Sequence, residues 1–225
     1  MQLPDFYADV PRLRVHDALA ETLACAEGGV LEYGYGDAVR LAGHSCPTVA
    51  AAYWLTWLAL RELYPQGLPE RGGIKVEFRD DARAGSTGVV ATVVQMLTGA
   101  AGRSGFKGLA GRHSRVGLQR FAPDLPLSLR YTRLDNHAAV DAQADLALAP
   151  ADPALDALLG RYAKEALPAD QLALMGRLWQ QRVRHLLLDL AHDPGVFMVR
   201  AVERRGQHSA PLLMASQASS CRRVS

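Results

Sequence analysis

The sequence predicts an α+β fold, in which a helix, a strand and a second helix precede three strands, and a helical extension follows. Three observations lead to this prediction. The run after Pro47 is apolar around nearly its whole circumference, as expected of a helix at the centre of a domain. Residues 73–78 alternate apolar and polar side chains, like a strand with one buried face. Proline and Asp-Asn turn residues separate three later apolar runs, which indicates short strands joined by turns.

Three helices are predicted in the first half of the chain, and the apolar run is the second of them. Residues 15–27 carry apolar side chains at helical spacing, and Gly28 follows them as a stop signal. The central helix is predicted from Pro47 to about Tyr64, because proline suits a first helical turn and a Pro-Gln-Gly sequence ends the run. After the strand at residues 73–78, a second apolar helix is predicted over residues 89–99, with Ser86 or Thr87 as its cap.

The second half of the chain is predicted to hold strands and then helices. Glycines recur at every third position from Gly99 to Gly111, which we interpret as a tight, irregular loop. The remaining elements are three strands around residues 116–121, 127–132 and 138–148, helices over residues 153–167 and 168–191, and a last strand at residues 196–203. We therefore expect an α+β domain over residues 1–150 and, over residues 151–225, a helical extension with a last strand and a flexible tail.

Composition limits the class of protein. Of the 225 residues 49% are hydrophobic and 21% charged, as in an ordinary soluble globular protein. A net charge of +2 gives no strong field for nucleic acid or an anionic membrane, and neither partner is expected. The longest apolar stretch, residues 49–60, is shorter than the roughly 20 residues that a membrane span requires.

Location is predicted from the N-terminus and the cysteines. The N-terminal segment lacks the apolar core of a signal peptide. Cys25, Cys46 and Cys221 are odd in number and widely separated, which argues against a disulfide framework. A cytoplasmic protein is expected on both grounds.

A short motif, Gly43-His44-Ser45-Cys46-Pro47, stands where the central helix begins. A histidine and a cysteine two residues apart can converge on one metal ion, and Gly43 allows the backbone turn that this requires. Unpaired N–H groups in the first helical turn favour a thiolate at Cys46, the form that binds metals. The alternative stays open that Cys46 is a small buried hydrophobe and His44 a hydrogen-bonded loop residue.

Further ligands have to be nominated, since two residues make only half of a tetrahedral site. Asp135 and His113 are the preferred candidates, and His137, Asp37 and Glu77 are others; each of these residue types in a turn is more often solvated or capping. Mixed imidazole and thiolate ligands suit zinc, copper, nickel or iron, with zinc expected.

Two features near the motif could bind a ligand. If the segment before the motif is extended, Tyr33 and Tyr35 share a face and could line a pocket, although simple packing is the alternative. The glycine-rich loop could form an anion-binding concavity from Gly102, Arg103, Gly105 and Lys107, although structural turns are the default. Neither nucleotide-binding glycine motif is present.

The motif resembles that of the FmdE domain family of formylmethanofuran dehydrogenase, which is marked by Gly-His-x-Cys-Pro before a buried helix and by a later helix that ends in Leu-Thr-Gly. Here these are residues 43–47 and residues 97–99, and the resemblance covers about residues 15–145. It implies an α+β domain with a mixed sheet and a bound transition metal, often zinc. It implies no settled reaction.

The chain also departs from that family's pattern. Family members often carry a cysteine and an aspartate in the second helix, near positions that Val89 and Thr92 occupy here, and the chain has no Cys-x-x-Cys pair for a zinc-ribbon tail. Any ligand beyond His44 and Cys46 must therefore come from elsewhere.

Three functional hypotheses follow. The first is a metal-binding protein with an accessory or metal-handling role. The second is an enzyme in which the metal or the Cys46 thiolate acts on a small anionic substrate held by the glycine-rich loop. The third is a non-catalytic homodimer or scaffold, in which the C-terminal helices form the interface and the motif is structural.

Overall fold

A computed structural model describes residues 3–203 of the chain. It has an α+β architecture built on a mixed five-stranded sheet, so the predicted fold class is confirmed. The helices are α1 (Ala18–Thr22), α2 (Tyr35–Ala42), α3 (Pro47–Leu63), α4 (Thr87–Thr98), α5 (Pro153–Tyr162) and α6 (Ala169–Arg184). The strands are β1 (Leu13–His16), β2 (Val30–Tyr33), β3 (Ile74–Phe78), β4 (Gln119–Phe121), β5 (Leu129–Arg133), β6 (Ala139–Ala144) and β7 (Phe197–Ala201).

The strands form two sheets. β1 and β2 make a two-stranded antiparallel ribbon. The main sheet has the order β4-β3-β5-β6-β7, with β4 parallel to β3 and every other neighbouring pair antiparallel. Because side chains alternate along each strand, Val76 and Tyr131 face the helices, while Lys75 and Arg130 lie on the opposite face.

The opposite face of the sheet carries a row of charges that alternate in sign. The strand register places Arg120, Glu77, Arg130, Asp141 and Arg200 side by side across all five strands. Arg130 donates to both carboxylate oxygens of Asp141, at 2.6 and 2.8 Å. Since a shift of one residue would turn each strand's charges into the core, this row favours the observed register.

Helix α3 is the centre of the core. Thirteen of its 17 residues are buried, against α4 on one side and against β5, β6 and β7 of the sheet. Trp54 is fully buried, and its Nε1 donates to the Ala191 carbonyl at 2.5 Å. Buried side chains of this size each contribute a few kcal/mol, on the order of 1.5–3, so this helix anchors the domain.

The C-terminal helices pack onto the same core. Val183 and Leu186 are fully buried in the cluster that contains α3. After α6 the chain makes one wide π-helical turn (His185–Asp189) and then adds β7 to the edge of the main sheet. Residues 151–203 therefore complete the core and the sheet of the preceding residues.

Some element boundaries differ from the predictions. The helix predicted over residues 15–27 is wrong: strand β1 includes Val15 and His16, and the helix that follows is only five residues long. Asp17 fixes the start of that helix, because its side chain caps it by accepting from Leu19 N and Ala20 N. The α4 N-cap is Ser86, one of the two predicted candidates, but its hydroxyl makes no capping bond.

Most of the other predicted elements are observed with shorter bounds, although α4 begins two residues earlier than predicted. Strand β5 lies close to its predicted range, whereas β4 begins at Gln119 and not at residue 116, and β6 ends at Ala144 and not at residue 148. Helices α5 and α6 end at Tyr162 and Arg184. The predicted tail and Cys221 lie outside the described residues.

Candidate functional site

The Gly-His-Ser-Cys-Pro motif forms the turn between α2 and α3. Gly43 ends α2 in the left-handed conformation, with φ 75°, which a residue with a Cβ rarely adopts. Pro47 occupies the first turn of α3, and Cys46 is its N-cap residue. The sequence prediction for this helix start is confirmed.

His44 is exposed at this turn. Its Nδ1 lies 3.0 Å from the Ala42 carbonyl oxygen, which accepts a hydrogen bond only from a protonated nitrogen. That bond places the proton of a neutral imidazole on Nδ1 and leaves a lone pair on Nε2. Metal-binding histidines are commonly oriented by a carbonyl in the same way.

Cys46 is half-buried at the start of α3. Its Sγ accepts a hydrogen bond from Val49 N at 3.4 Å and thereby satisfies one of the free N–H groups of the first turn. Part of its side chain packs on the core cluster. The sulfur is therefore both a helix cap and a partly accessible soft donor.

Helix α6 hydrogen-bonds to the middle residue of the motif, Ser45. Trp179 Nε1 donates to the Ser45 carbonyl at 2.7 Å, and the Ser45 hydroxyl donates to Gln180 Oε1 at 3.2 Å. The Tyr35 hydroxyl is 2.8 Å from Ser45 Oγ, and the Tyr7 hydroxyl donates to the same Gln180 oxygen at 3.1 Å. Burial raises the pKa values of both tyrosines, so they stay neutral hydrogen-bonding groups. Thus the residue between His44 and Cys46 is fixed by three other segments.

Tyr35 reaches the motif from a helix and not from an extended segment. Strand β2 ends at Tyr33, and Tyr35 begins α2. The two tyrosines therefore do not share a strand face. Tyr35 is fully buried and packs edge-on against Tyr7 and Tyr53, which agrees with the packing interpretation, while its hydroxyl supports Ser45.

The nominated acidic residues are engaged elsewhere. Asp135 lies in the β5–β6 turn, where two of its oxygens accept from Arg133 at 3.0 and 2.6 Å. Asp37 accepts from Gly34 N and pairs with Arg40. Glu77 pairs with Lys75 on the outer face of the sheet.

Two nominated histidines lie in other turns. His113 has φ 59° in the glycine-rich loop, and His137 has φ 59° in the β5–β6 turn. Across residues 3–203, no group of three or more histidine, cysteine, aspartate or glutamate side chains is arranged to hold a metal. His44 and Cys46 thus remain the two candidate ligands of the motif.

The glycine-rich loop folds on itself. Gly105 N donates to the Gly102 carbonyl at 3.3 Å, so this N–H does not point outward. Arg103 and Lys107 are exposed. The buried cation of this segment is a residue that the sequence analysis did not single out, Arg115, which is 7% exposed.

Arg115 belongs to a buried ion cluster with Asp17 and Arg71. Arg115 Nη2 and Arg71 Nη1 each donate to a different Asp17 oxygen at 2.8 Å. Burial alone raises the Asp17 pKa, but the Arg71 hydrogen bond, the charge of Arg115 and the Ala20 N–H together bring it below its usual value. Arg71 and Arg115 are 54 and 98 positions from Asp17 in sequence, so no local pattern could have joined them.

A cleft of about 190 Å³ opens beside the motif's helix. Thr48 and Ala51 of α3 line it together with Thr87 at the start of α4, so the N-terminal ends of both helices lie together. Phe78 and Leu129 supply an apolar floor. The cleft is a feature that sequence reasoning missed, because its walls come from five separate elements, α3, α4, β3, β5 and β6.

Compared with known proteins, the chain matches no family model and no curated protein. Among residues 3–203, no helix has the length and apolar character needed to cross a bilayer.

Proposed function

We propose that the protein binds one transition-metal ion, most favourably zinc, through His44 Nε2 and Cys46 Sγ, in the manner of the FmdE family. The observation that carries the proposal is the His44 Nδ1 bond to the Ala42 carbonyl, which leaves Nε2 as a lone-pair donor two residues from an accessible thiol. Imidazole nitrogen and thiolate sulfur are the ligands that zinc prefers.

The number of ligands favours metal handling over a structural role. A structural zinc site is closed by four protein ligands, whereas this turn supplies two from the described chain. Water or another molecule would fill the remaining positions, and ligand exchange would be fast. An accessory role, in which metal is held and passed on, suits such an open site better than a fold-stabilising one.

The test is metal content in untagged protein, measured by elemental analysis, with Co²⁺ titration as a second readout. We expect about one equivalent per chain in the wild type, and the near-ultraviolet absorption of a cobalt–thiolate bond on addition of Co²⁺. Both signals should be lost in Cys46→Ser and in His44→Ala. Because His44 is exposed, Cys46 is only half-buried and their hydrogen bonds are local, the variants should keep the fold, which circular dichroism checks.

Two matched controls make this test specific. Cys25→Ser removes an exposed cysteine that is remote in sequence from the motif, and Cys221→Ser removes the one outside the described residues. Both controls should keep the metal and the cobalt signal. Wild-type metal content in Cys46→Ser and His44→Ala would refute the assignment.

The enzymatic alternative also stays a prediction, and its substrate would have to reach an open coordination position on this ion. The metal-loaded protein distinguishes the two roles. Turnover of a substrate that is lost with Cys46→Ser would favour the enzyme, whereas rapid metal transfer to a competing chelator without turnover would favour metal handling.

A further inference from the structure

A second cleft, of about 210 Å³, lies at the opposite end of α4 from the motif. It is lined by Leu19, Arg71, Gln95, Gly99, Ala101, Phe106 and Arg115. Helix α4 has 12 residues, which at 1.5 Å per residue is roughly 18 Å. Because the start of α4 lies beside the start of α3, this cleft and the motif are separate places on the molecule.

The two arginines hold more donors than their protein partners use. A guanidinium has five N–H groups in a planar fork. Arg71 uses Nε for the Met96 carbonyl and Nη1 for Asp17, and Arg115 uses Nη1 for the Arg71 carbonyl and Nη2 for Asp17. Within residues 3–203, this leaves Arg71 Nη2 and Arg115 Nε as donors for a bound molecule.

The charge of the cluster is positive by one. Two guanidinium groups face the single carboxylate of Asp17, which leaves +1 on these three residues. The adjoining His16 binds two carboxylates, Glu21 and Glu70, so that neighbouring group carries a net negative charge. Arg115 is nine-tenths buried, so its charge is poorly screened by water. A singly charged anion would balance the Asp17, Arg71 and Arg115 charges, and the excess carboxylate at His16 disfavours a doubly charged one.

Apart from the arginines and Gln95, the lining of the cleft is apolar or glycine. Leu19 and Ala101 form its walls, and Phe106 stands at the cleft with 47% of its surface exposed. An exposed phenylalanine in a glycine-rich loop contributes nothing to the core, but it would gain burial against an apolar ligand. The lining therefore combines arginine donors with an apolar surface, a common combination in small-molecule sites.

From these observations we infer that the Arg71–Arg115 cleft binds a compact monocarboxylate with an apolar substituent. The carboxylate accepts from Arg71 Nη2 and Arg115 Nε, and the substituent packs on Phe106 and Leu19. This site is different from the anion site predicted at Gly102, Arg103, Gly105 and Lys107, because its donors are Arg71 and Arg115. This site is independent of the proposed metal site.

The backbone is adapted to the Arg115 guanidinium. A Cβ on Gly72 would lie 1.1 Å from Arg115 Nη1, and one on Gly99 would lie 3.0 Å from it. The two glycines thus form a cradle that holds the guanidinium against Asp17. A purely structural ion pair would account for this cradle, but not for an apolar cleft beside two free donors.

The test uses benzoate as the probe and benzamide as its neutral match, with binding to the full chain followed by calorimetry. We expect saturable benzoate binding, no comparable benzamide binding, and weaker binding of phosphate. Arg71→Lys keeps the positive charge near Asp17 but removes Nη2, and should weaken benzoate binding about tenfold or more. Phe106→Ala leaves the ion cluster intact and should also weaken it.

Arg103→Ala is the matched control, because it removes an exposed cation of the same loop that does not line the cleft. It should bind benzoate as the wild type does. Equal weakening in Arg103→Ala and Arg71→Lys would reduce the effect to general surface charge and overturn the proposal. The absence of saturable benzoate binding by folded wild-type protein, or equal binding of benzamide, would overturn it as well. If Arg71→Lys fails to fold, the Phe106→Ala variant and the comparison with benzamide still test whether the cleft binds a carboxylate.

Discussion

The motif turn and the Asp17 cluster lie at opposite ends of the helical layer and are held in opposite ways. His44 and Cys46 are neighbours in sequence, remain accessible and make mainly short-range contacts. Asp17, Arg71 and Arg115 come from three distant segments and are largely buried. From this comparison we expect that the motif side chains can be replaced without unfolding the chain, whereas replacing a charge of the cluster destabilises the fold.

The largest effect is expected from Asp17→Ala. This change removes the shared carboxylate of two arginines and the cap of α1, and leaves a nine-tenths buried guanidinium without its counter-charge. Breaking a buried ion pair from one side costs about 3–5 kcal/mol, so we expect a loss of this order in the free energy of unfolding. Urea denaturation of both proteins at neutral pH measures it.

Glu165→Ala is the matched control, since it removes a carboxylate from an exposed pair with Arg161 one helical turn away. Such pairs contribute roughly 0.3–0.5 kcal/mol. Similar losses in the two variants would contradict the distinction between buried and exposed charges. A folded Asp17→Ala protein with unchanged stability would show that the cluster is not part of the fold's support.

The sequence predicted the helical core and most of the strands because their signals are local. The apolar circumference of α3 and the alternation in β3 are properties of neighbouring residues, and the structure confirms both. The helix over residues 15–27 was predicted wrongly because its spacing is equally compatible with β1, whose position is set by pairing with β2. Long-range pairing decided between two local interpretations of the same residues.

The candidate site could be predicted only in part, for the same reason. A helix start at Pro47 with Cys46 as cap follows from local rules and is observed. The support from Trp179 and Gln180 joins positions about 135 residues apart, and the contact of Arg115 with Asp17 spans 98 positions. No spacing rule reaches across such distances.

The next effect tests how α6 supports the motif. Trp179→Phe keeps an aromatic ring but removes the N–H that holds the Ser45 carbonyl, and should cost about 1 kcal/mol of stability. Because Ser45 lies between His44 and Cys46, the turn should loosen and the Cys46 thiol should react several-fold faster with an alkylating reagent. The rate is measured in a background that carries Cys25→Ser and Cys221→Ser.

Trp57→Phe is the matched control, since it removes an indole N–H that donates to the Arg12 carbonyl. It should cost a similar amount of stability and leave the alkylation rate of Cys46 unchanged. An equal increase in both variants would assign the effect to general destabilisation. An unchanged rate in Trp179→Phe would show that the motif holds its own shape.

The smallest effect is a pH dependence that we expect from His16, which adjoins the Asp17 cluster. The hydrogen bond to Glu70 at 2.5 Å is the main reason that the pKa of His16 is raised, against the opposing effect of burial, and Glu21 adds to the rise. Because the pKa of His16 is higher in the folded state than in the unfolded state, its pairing with Glu70 contributes fully to stability at pH values below the unfolded pKa of about 6.5. This contribution is lost as the pH rises through the pKa that His16 has in the folded state.

Wild-type unfolding free energies should therefore fall as the pH rises above about 6.5, and His16→Gln should remove part of this fall. Glu70→Gln provides the complementary test, because it removes the main partner and keeps the histidine. If both variants lose the same pH dependence in urea denaturation, this dependence arises from the His16–Glu70 pair. It then belongs to the end of the molecule that holds the Asp17 cluster. If both keep the full wild-type fall, the pH dependence originates elsewhere, and the contrast between the two ends does not extend to neutral pH.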